Sequence, residues 1–343
     1  MKHKEQTLRV GIVGTNFISD WFVDAARRTS GRVTPLAIYS RSIERAQEFG
    51  DRNGLTLTFD NYQSMVSEVD AVYVASPTTA HFGQALAAVQ AGRHVLVEKT
   101  MTSSLDQTAA LFQAAEENGV VAMEATRSLY TPAYRMIQAA IPSLSELRYA
   151  HFEKLQYSSR YQRFLSGEHV NAFEPSMGNS SLIDLGVYCL EPAMDLLGTP
   201  ESVNGSAVLL NNGFEAVGSL QLTYPGMVAD IAYSKIAQGA GASVIVGEDG
   251  SLEINDIAET SRVVRRLRGG EPEVLYESSP VTPKETMTFE LEKFADQVMA
   301  GETDPHWREV TLSTRKIMDQ HLTHGPVASI DPNNRGNTDF PVL

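Results

Sequence analysis

Leu8-Arg9-Val10-Gly11-Ile12-Val13-Gly14-Thr15-Asn16-Phe17-Ile18-Ser19 decides the architecture of this chain. The run Leu8 to Val13 is apolar enough for a buried strand, and apolar residues from Phe17 to Arg28 recur at helical spacing. A strand that turns directly into a helix aims backbone N–H groups and the positive helix end at one spot, which suits a pyrophosphate. In the G-x-G-x-x-G template of such turns, Gly14 takes the first place, Asn16 the second and Ser19 the third. The second glycine lets the backbone approach the phosphate, so Asn16 is the point of tension. Asn tolerates positive φ better than most residues, and Ser is small enough for close helix packing. Two arrangements are open for Asn16: positive φ with its N–H turned to the ligand, or a side chain filling the phosphate position. Gly14, Thr15, Asn16, Phe17 and Ile18 are the expected cofactor contacts of this turn.

Outward from the turn, strands alternate with helices to about Met123. Strands are predicted at Leu8–Val13, Val33–Tyr39, Leu55–Thr58, Ala71–Ala75, His94–Val97 and Val120–Met123. Helices are predicted at Phe17–Arg28, Ile43–Asn53, Thr79–Ala91 and Leu105–Asn118, with Gly54, Gly92 and Gly119 placed to stop three of them. This order specifies an α/β domain with a doubly wound parallel sheet. After Pro132 the pattern changes to long alternating strands, the first at Leu147–Gln156 and the last at Ser261–Arg268, which imply a large open, mainly antiparallel sheet. Helices are predicted at Leu182–Leu197, capped by Asn179 or Ser180, and at Phe289–Ala300 and Arg308–His321. Two domains follow: residues 1–125 for a dinucleotide and 126–343 for substrate and oligomerisation. The tail after Ile330 is expected to be loosely held.

The chain has 343 residues, ample for a large core, and 42 acidic against 28 basic residues give a formal charge of -14. Without a lysine cluster on one face, this balance speaks against nucleic acid as a partner. Met1 to Arg9 lacks the apolar segment of an export signal, and no stretch approaches the roughly 18 apolar residues of a membrane span. A soluble, cytoplasmic protein is expected. The single cysteine, Cys189, allows no internal disulfide or cysteine-rich zinc site and reads as a small buried apolar residue, and no metal is expected.

At the end of the second strand, Ser40-Arg41-Ser42 stands where such folds recognise the adenosine ribose. An acid there would accept from the 2′-hydroxyl of NAD; instead Arg41 can grip a 2′-phosphate bidentately, which favours NADP with NAD possible. The alternative is a helix cap at Ser42 beside a solvated arginine. Ser76-Pro77-Thr78, with His81 on the following helix, ends the fourth strand, and Glu98-Lys99 ends the fifth, all at one edge of the sheet. Far along the chain, Asp184 and Tyr188 are four apart and emerge on one helix face. A nearby lysine would make that phenol a usable proton donor and acceptor; otherwise Asp184 serves the helix dipole and Tyr188 packs. Ser158-Ser159-Arg160-Tyr161-Gln162-Arg163 either reaches substrate or cofactor phosphate or is a solvated loop.

In order and spacing these pieces, together with Gly247-Glu248-Asp249-Gly250-Ser251-Leu252-Glu253-Ile254, resemble the Gfo/Idh/MocA family of oxidoreductases over nearly the whole chain. The resemblance implies a nicotinamide cofactor held between an N-terminal Rossmann domain and a C-terminal open-sheet domain that often serves oligomerisation, here expected as a dimer. It implies a hydride exchanged with a secondary alcohol or carbonyl of a sugar, cyclitol or diol. Tyr188 would exchange the proton, Lys99 would assist it and Asp184 would orient the group. A regulatory protein that binds the dinucleotide or a sugar without turnover is the alternative. Three positions depart from the family pattern: Asn16, Thr100 in place of the proline after Lys99, and Gly178-Asn179-Ser180 in place of a glycine run. Since a cis bond is strongly disfavoured before any residue but proline, Thr100 predicts a trans bond and a displaced Lys99.

Overall fold

The computed structural model describes residues 7–239, 242–324 and 327–329. The first half runs β1 (Leu8–Val13), α1 (Phe17–Arg28), β2 (Val33–Tyr39), α2 (Ile43–Asn53), β3 (Leu57–Phe59), α3 (Tyr62–Ser67), β4 (Ala71–Val74), α4 (Thr78–Gln90), β5 (His94–Glu98), α5 (Leu105–Glu117) and β6 (Ala122–Ala125). The six strands pair in parallel in the order β3-β2-β1-β4-β5-β6. Both faces are covered, so the strands read as continuous apolar runs. Val72 and Val74 join Ala88, Leu111 and Phe112 of α4 and α5 on one side. Tyr73 turns to the other, where it stacks on Phe22 of α1 with ring centroids 4.1 Å apart.

Two strands begin later than their hydrophobicity suggests, for one reason. Gly54 adopts φ 71° and the Leu55 N–H donates to the Gly50 carbonyl, so the start of that apolar run belongs to the stop of α2. Val120 likewise donates to the Ala115 carbonyl at the end of α5. Helix α3, capped by Asn61 accepting from the Ser64 N–H, is too short to register as a periodic pattern.

The second half contains α6 (Pro132–Ala140), β7 (Leu147–Leu155), α7 (Tyr161–Leu165), α8 (Val187–Leu197), β8 (Ser202–Leu209), β9 (Glu215–Tyr224), β10 (Met227–Ser234), β11 (Ser243–Gly247), β12 (Gly250–Ile254), β13 (Arg262–Leu267), β14 (Glu273–Glu277), α9 (Pro283–Ala300), α10 (Pro305–His324) and β15 (Val327–Ser329). The nine strands form one sheet, β14-β13-β12-β11-β7-β10-β9-β8-β15, antiparallel except at β7–β10 and β8–β15. The architecture is therefore the expected one: a Rossmann sheet plus a separate, mainly antiparallel sheet.

The helix expected over Leu182–Leu197 is interrupted in kind. Its first turn, Leu182–Gly186, is a wide π-type turn, and α8 begins only after it. Gly186 makes room there, since a Cβ would stand 3.1 Å from the Tyr233 ring on β10. Of the two expected caps, Ser180 does the work, accepting from the Ile183 N–H, while Asn179 donates to the Asn171 carbonyl.

The last two helices cross back to the first sheet. Helix α9 lies on α1 through Lys284–Asp24 and on the turn before β2 through Asp296–Arg32, and α10 reaches the start of α5, where Asp319 accepts from the Leu105 N–H. Among the described residues no helix is long and apolar enough to cross a membrane. The tail after Ile330 lies outside the described residues. Cys189 is fully buried on α8, as read from the sequence.

Candidate active site

The strand order reverses between β1 and β4, and a cleft of about 920 Å³ opens where their C-terminal ends face the second sheet. Asn16, Phe17 and Ile18 line it from the first turn, and Ser76, Pro77, Thr78 and His81 from the end of β4 and α4. Glu98 and Lys99 enter from the end of β5, Asp184 from the π-type turn before α8 and Tyr188 from the first turn of α8. Four segments far apart in sequence thus converge. Gly14, Thr15, Ser40, Arg41 and Ser42 stand outside this cavity, beyond the turn at the ends of β1 and β2.

The turn after β1 takes neither form left open for Asn16. Its backbone is extended at φ -86°, and its side chain caps α1: Oδ1 accepts from the Ile18 and Ser19 N–H groups while Nδ2 donates to the Ala75 carbonyl at 2.8 Å. Asparagine is a strong N-cap, so the local helix start decided the matter. The positive φ falls on Gly14 instead, at 103°, where a Cβ would meet the Ala75 carbonyl at 2.7 Å. The amides of Thr15, Asn16 and Phe17 have no hydrogen-bond partner among the described residues. A glycine-only cradle with three open amides at a helix start fits a pyrophosphate.

Ser42 follows the cap reading: its hydroxyl accepts from the Arg45 N–H and donates to Glu44. Arg41 beside it is exposed. His81 is buried with Nε2 2.7 Å from the Ser76 carbonyl and Nδ1 3.2 Å from that of Thr100. Burial pushes its pKa below the ordinary range, so it acts as a strut between the ends of β4 and β5.

The bond between Lys99 and Thr100 is cis, and Lys99 is not displaced, contrary to the sequence expectation. Thr100 is buried, and its hydroxyl donates to the Ile183 carbonyl, which docks this segment on the turn that carries Asp184. Lys99 Nζ donates to the Asp184 carbonyl and to Asp184 Oδ1, both at 2.7 Å, and stands 5.0 Å from the centre of the Tyr188 ring. Burial works against the Lys99 ammonium, but the Asp184 carboxylate and the Tyr188 phenol outweigh it and push its pKa up. Burial likewise favours a neutral Asp184, and Lys99 and Lys235 together overcome it and hold the carboxyl well below the usual range. An ammonium has three donors, so Lys99 keeps one for another acceptor.

Two cations that sequence reasoning missed complete the constellation. Lys235, just past β10, lies 2.6 Å from Asp184 Oδ2. Arg127, after β6, places its guanidinium 5.3 Å from the centre of the Tyr188 ring. Arg127 is fixed by Thr286 and by Glu259, which also pairs with Lys154, and Lys154 pairs in turn with Asp256. These four charges, alternating in sign, form the wall facing Tyr188. No local signal announced them, because their partners come from strands and loops more than 100 positions away. Of the Ser158–Arg163 segment, Arg160 lines the cleft with its guanidinium over the Phe17 ring, whereas Arg163 pairs with Glu168 on the surface.

Comparisons with known proteins agree with this architecture. A model of an oxidoreductase family with an NAD-binding Rossmann fold, Gfo/Idh/MocA, matches residues 8–126, and the model of the C-terminal domain of Gfo/Idh/MocA proteins matches residues 149–253. The chain is 36% identical over 317 residues to scyllo-inositol 2-dehydrogenase (NADP(+)) of Bacillus subtilis, covering 91% of this chain and 95% of that protein. It is 29% identical over 315 residues to D-xylose 1-dehydrogenase (NADP(+)) 2 of Haloferax volcanii, covering 90% and 94%. Among solved structures, a 3-ketoreductase from Actinomadura kijaniata in complex with NADP and TDP-benzene shares the fold with a TM-score of 0.83 at 23% identity, over 95% of this chain and 100% of that one.

Proposed function

Because the chain belongs to the Gfo/Idh/MocA family of oxidoreductases, we propose that it is an NADP-preferring dehydrogenase or reductase of a secondary alcohol or carbonyl on a sugar, cyclitol or diol. Residues 1–125 bind the dinucleotide in this reading, and residues 126–343 bind substrate. The observation that carries it is the meeting of Lys99, Asp184 and Tyr188 at the switch point of the parallel sheet, 85 positions separating the first pair.

The open amides of Thr15 to Phe17 hold the pyrophosphate, Arg160 faces them across the cleft, and Arg41 takes the 2′-phosphate. When bound, the nicotinamide supplies a carbon that accepts or gives a hydride. The chain's own residues handle the proton. Lys99 stays an ammonium and Asp184 a carboxylate through the neutral range, so neither exchanges protons there. The Tyr188 hydroxyl remains as donor to a carbonyl oxygen or acceptor from an alcohol, and the third N–H of Lys99 polarises that same oxygen. The wall Arg127-Glu259-Lys154-Asp256 is charged yet internally paired, which supports a neutral polyhydroxylated substrate.

The outer sheet face carries the exposed Val228 and Val274, which supports a homo-oligomer, expected as a dimer. Fluorescence titration with NADPH and NADH, followed by turnover across inositols, aldoses and diols, tests the whole reading. Tighter NADPH and turnover of at least one polyol are expected. Failure to bind either nucleotide overturns it, and tight binding without turnover turns it into the regulatory alternative.

A further inference from the structure

Asp184 is shared by two lysines. Lys99 donates to Oδ1 at 2.7 Å and Lys235 sits 2.6 Å from Oδ2, so both carboxylate oxygens are committed. Lys235 is held for this contact. Its ammonium also donates to the Ala172 carbonyl at 3.0 Å and lies 5.5 and 5.7 Å from the ring centres of Phe173 and Phe214, with 8% of its side chain exposed. It reaches the site from the end of β10, through a recess that joins the main cleft along Asp184 and Leu185.

Charge counting gives the arrangement a direction. Lys99 and Asp184 alone would cancel, leaving little field at the phenol. Two ammonium groups on one carboxylate leave one net positive charge, and Lys99 Nζ, which has a third donor beyond its two bonds to Asp184, stands 5.0 Å from the centre of the Tyr188 ring. We infer that Lys235 is a positioning residue for the reaction: by occupying Oδ2 it holds Asp184 ionised and leaves Lys99 charged and directed at Tyr188. This role rests on the oxidoreductase reading above.

The groups around Asp184 set its response to acid. Lys99 arrives from the end of β5 with Glu98 before it, Tyr188 follows on the same helix face, Lys235 comes from β10, and Arg127 stands behind the Tyr188 ring. Burial alone favours the neutral acid, and the two lysines reverse that preference together. With Lys235 gone, Asp184 takes up a proton at higher pH and releases Lys99.

Lys235→Met keeps the stem and removes the charge; Lys235→Arg keeps the charge. At neutral pH kcat of Lys235→Met is expected to fall about tenfold or more, and the acid limb of kcat/KM to move up by about one pH unit or more. Lys235→Arg is expected to keep the limb near its wild-type position. A loss of rate with an unmoved limb makes Lys235 merely structural and overturns the role. A second measurement needs no substrate: carbon NMR of labelled aspartate carboxylates, with Asp184→Asn for assignment. Asp184 is expected to stay ionised wherever the wild type is folded and to titrate within that range in Lys235→Met; identical titration overturns the inference. Absence of wild-type turnover would sink the oxidoreductase reading instead, and the carboxylate titration still decides what Lys235 does to Asp184.

Discussion

Asn16 and Ala75 are tied side chain to backbone across the first crossover: Nδ2 of Asn16 donates to the Ala75 carbonyl at 2.8 Å, the same oxygen that a Cβ on Gly14 would strike. The bond joins the ends of β1 and β4 at the strand switch, while Oδ1 caps α1. The departure from the glycine template therefore exchanges backbone freedom for a fixed turn.

Asn16→Ala is expected to cost about 1 kcal/mol of stability through the lost cap. Thermal melting of the two proteins checks it. Asn16→Gly restores the template and uncovers the Ile18 and Ser19 amides, so its NADPH affinity should equal or exceed that of the wild type. An affinity more than about tenfold weaker would mean that the asparagine side chain itself holds the nucleotide.

Tyr188→Phe removes the hydroxyl and keeps the ring between Lys99 and Arg127. Turnover is expected to fall roughly 100-fold or more, the usual scale of a lost general acid or base, while the NADPH dissociation constant stays within about twofold. Steady-state kinetics beside fluorescence titration separate the two effects. Turnover near the wild-type rate removes Tyr188 from the proton-exchange role.

Arg41→Glu places an acid where the 2′-phosphate is expected. NADPH binding should weaken by about tenfold or more and NADH should be little affected, the scale of one lost charge-assisted contact. Equal weakening of both nucleotides would assign Arg41 to the turn.

Asp184 has its pKa depressed in the folded protein, so its stabilising contribution is complete above the unfolded aspartate value and is lost as pH falls through the lower folded value. Glu259, lowered by Arg127 and Lys154 against its burial, follows the same sign. The melting temperature should hold between pH 8 and 5 and decline below about pH 4. Asp184→Asn should lower it at neutral pH and flatten that decline. With 36% of the Asp184 side chain open to the cleft, water screens the pair, and the loss is expected at about 1–2 kcal/mol. Parallel decline in both proteins would exclude Asp184 as a source of the acid sensitivity.

Legibility divides by range. The strand-turn-helix at Leu8–Ser19, the alternation behind the parallel sheet, the Ser180 cap and the Asp184/Tyr188 spacing were readable, because each depends on residues a few positions apart. Wrong boundaries at β3 and β6 arose where apolar residues serve a helix stop before they enter a strand. The cis bond at Lys99–Thr100 was misread, since the local preference of a threonine says nothing about the Ile183 carbonyl that receives its hydroxyl.

By itself, then, the sequence determined the two-sheet architecture and named three residues of the site, because hydrophobic period, capping chemistry and turn type are local. Only the tertiary structure decided that Asp184 bears two lysines instead of one and that Arg127 closes the other side of Tyr188. Lys235 and Lys99 lie 136 positions apart yet meet on one carboxylate. Electrostatic partnership is a matter of distance and burial in space, and neither is written in the neighbours of a residue along the chain.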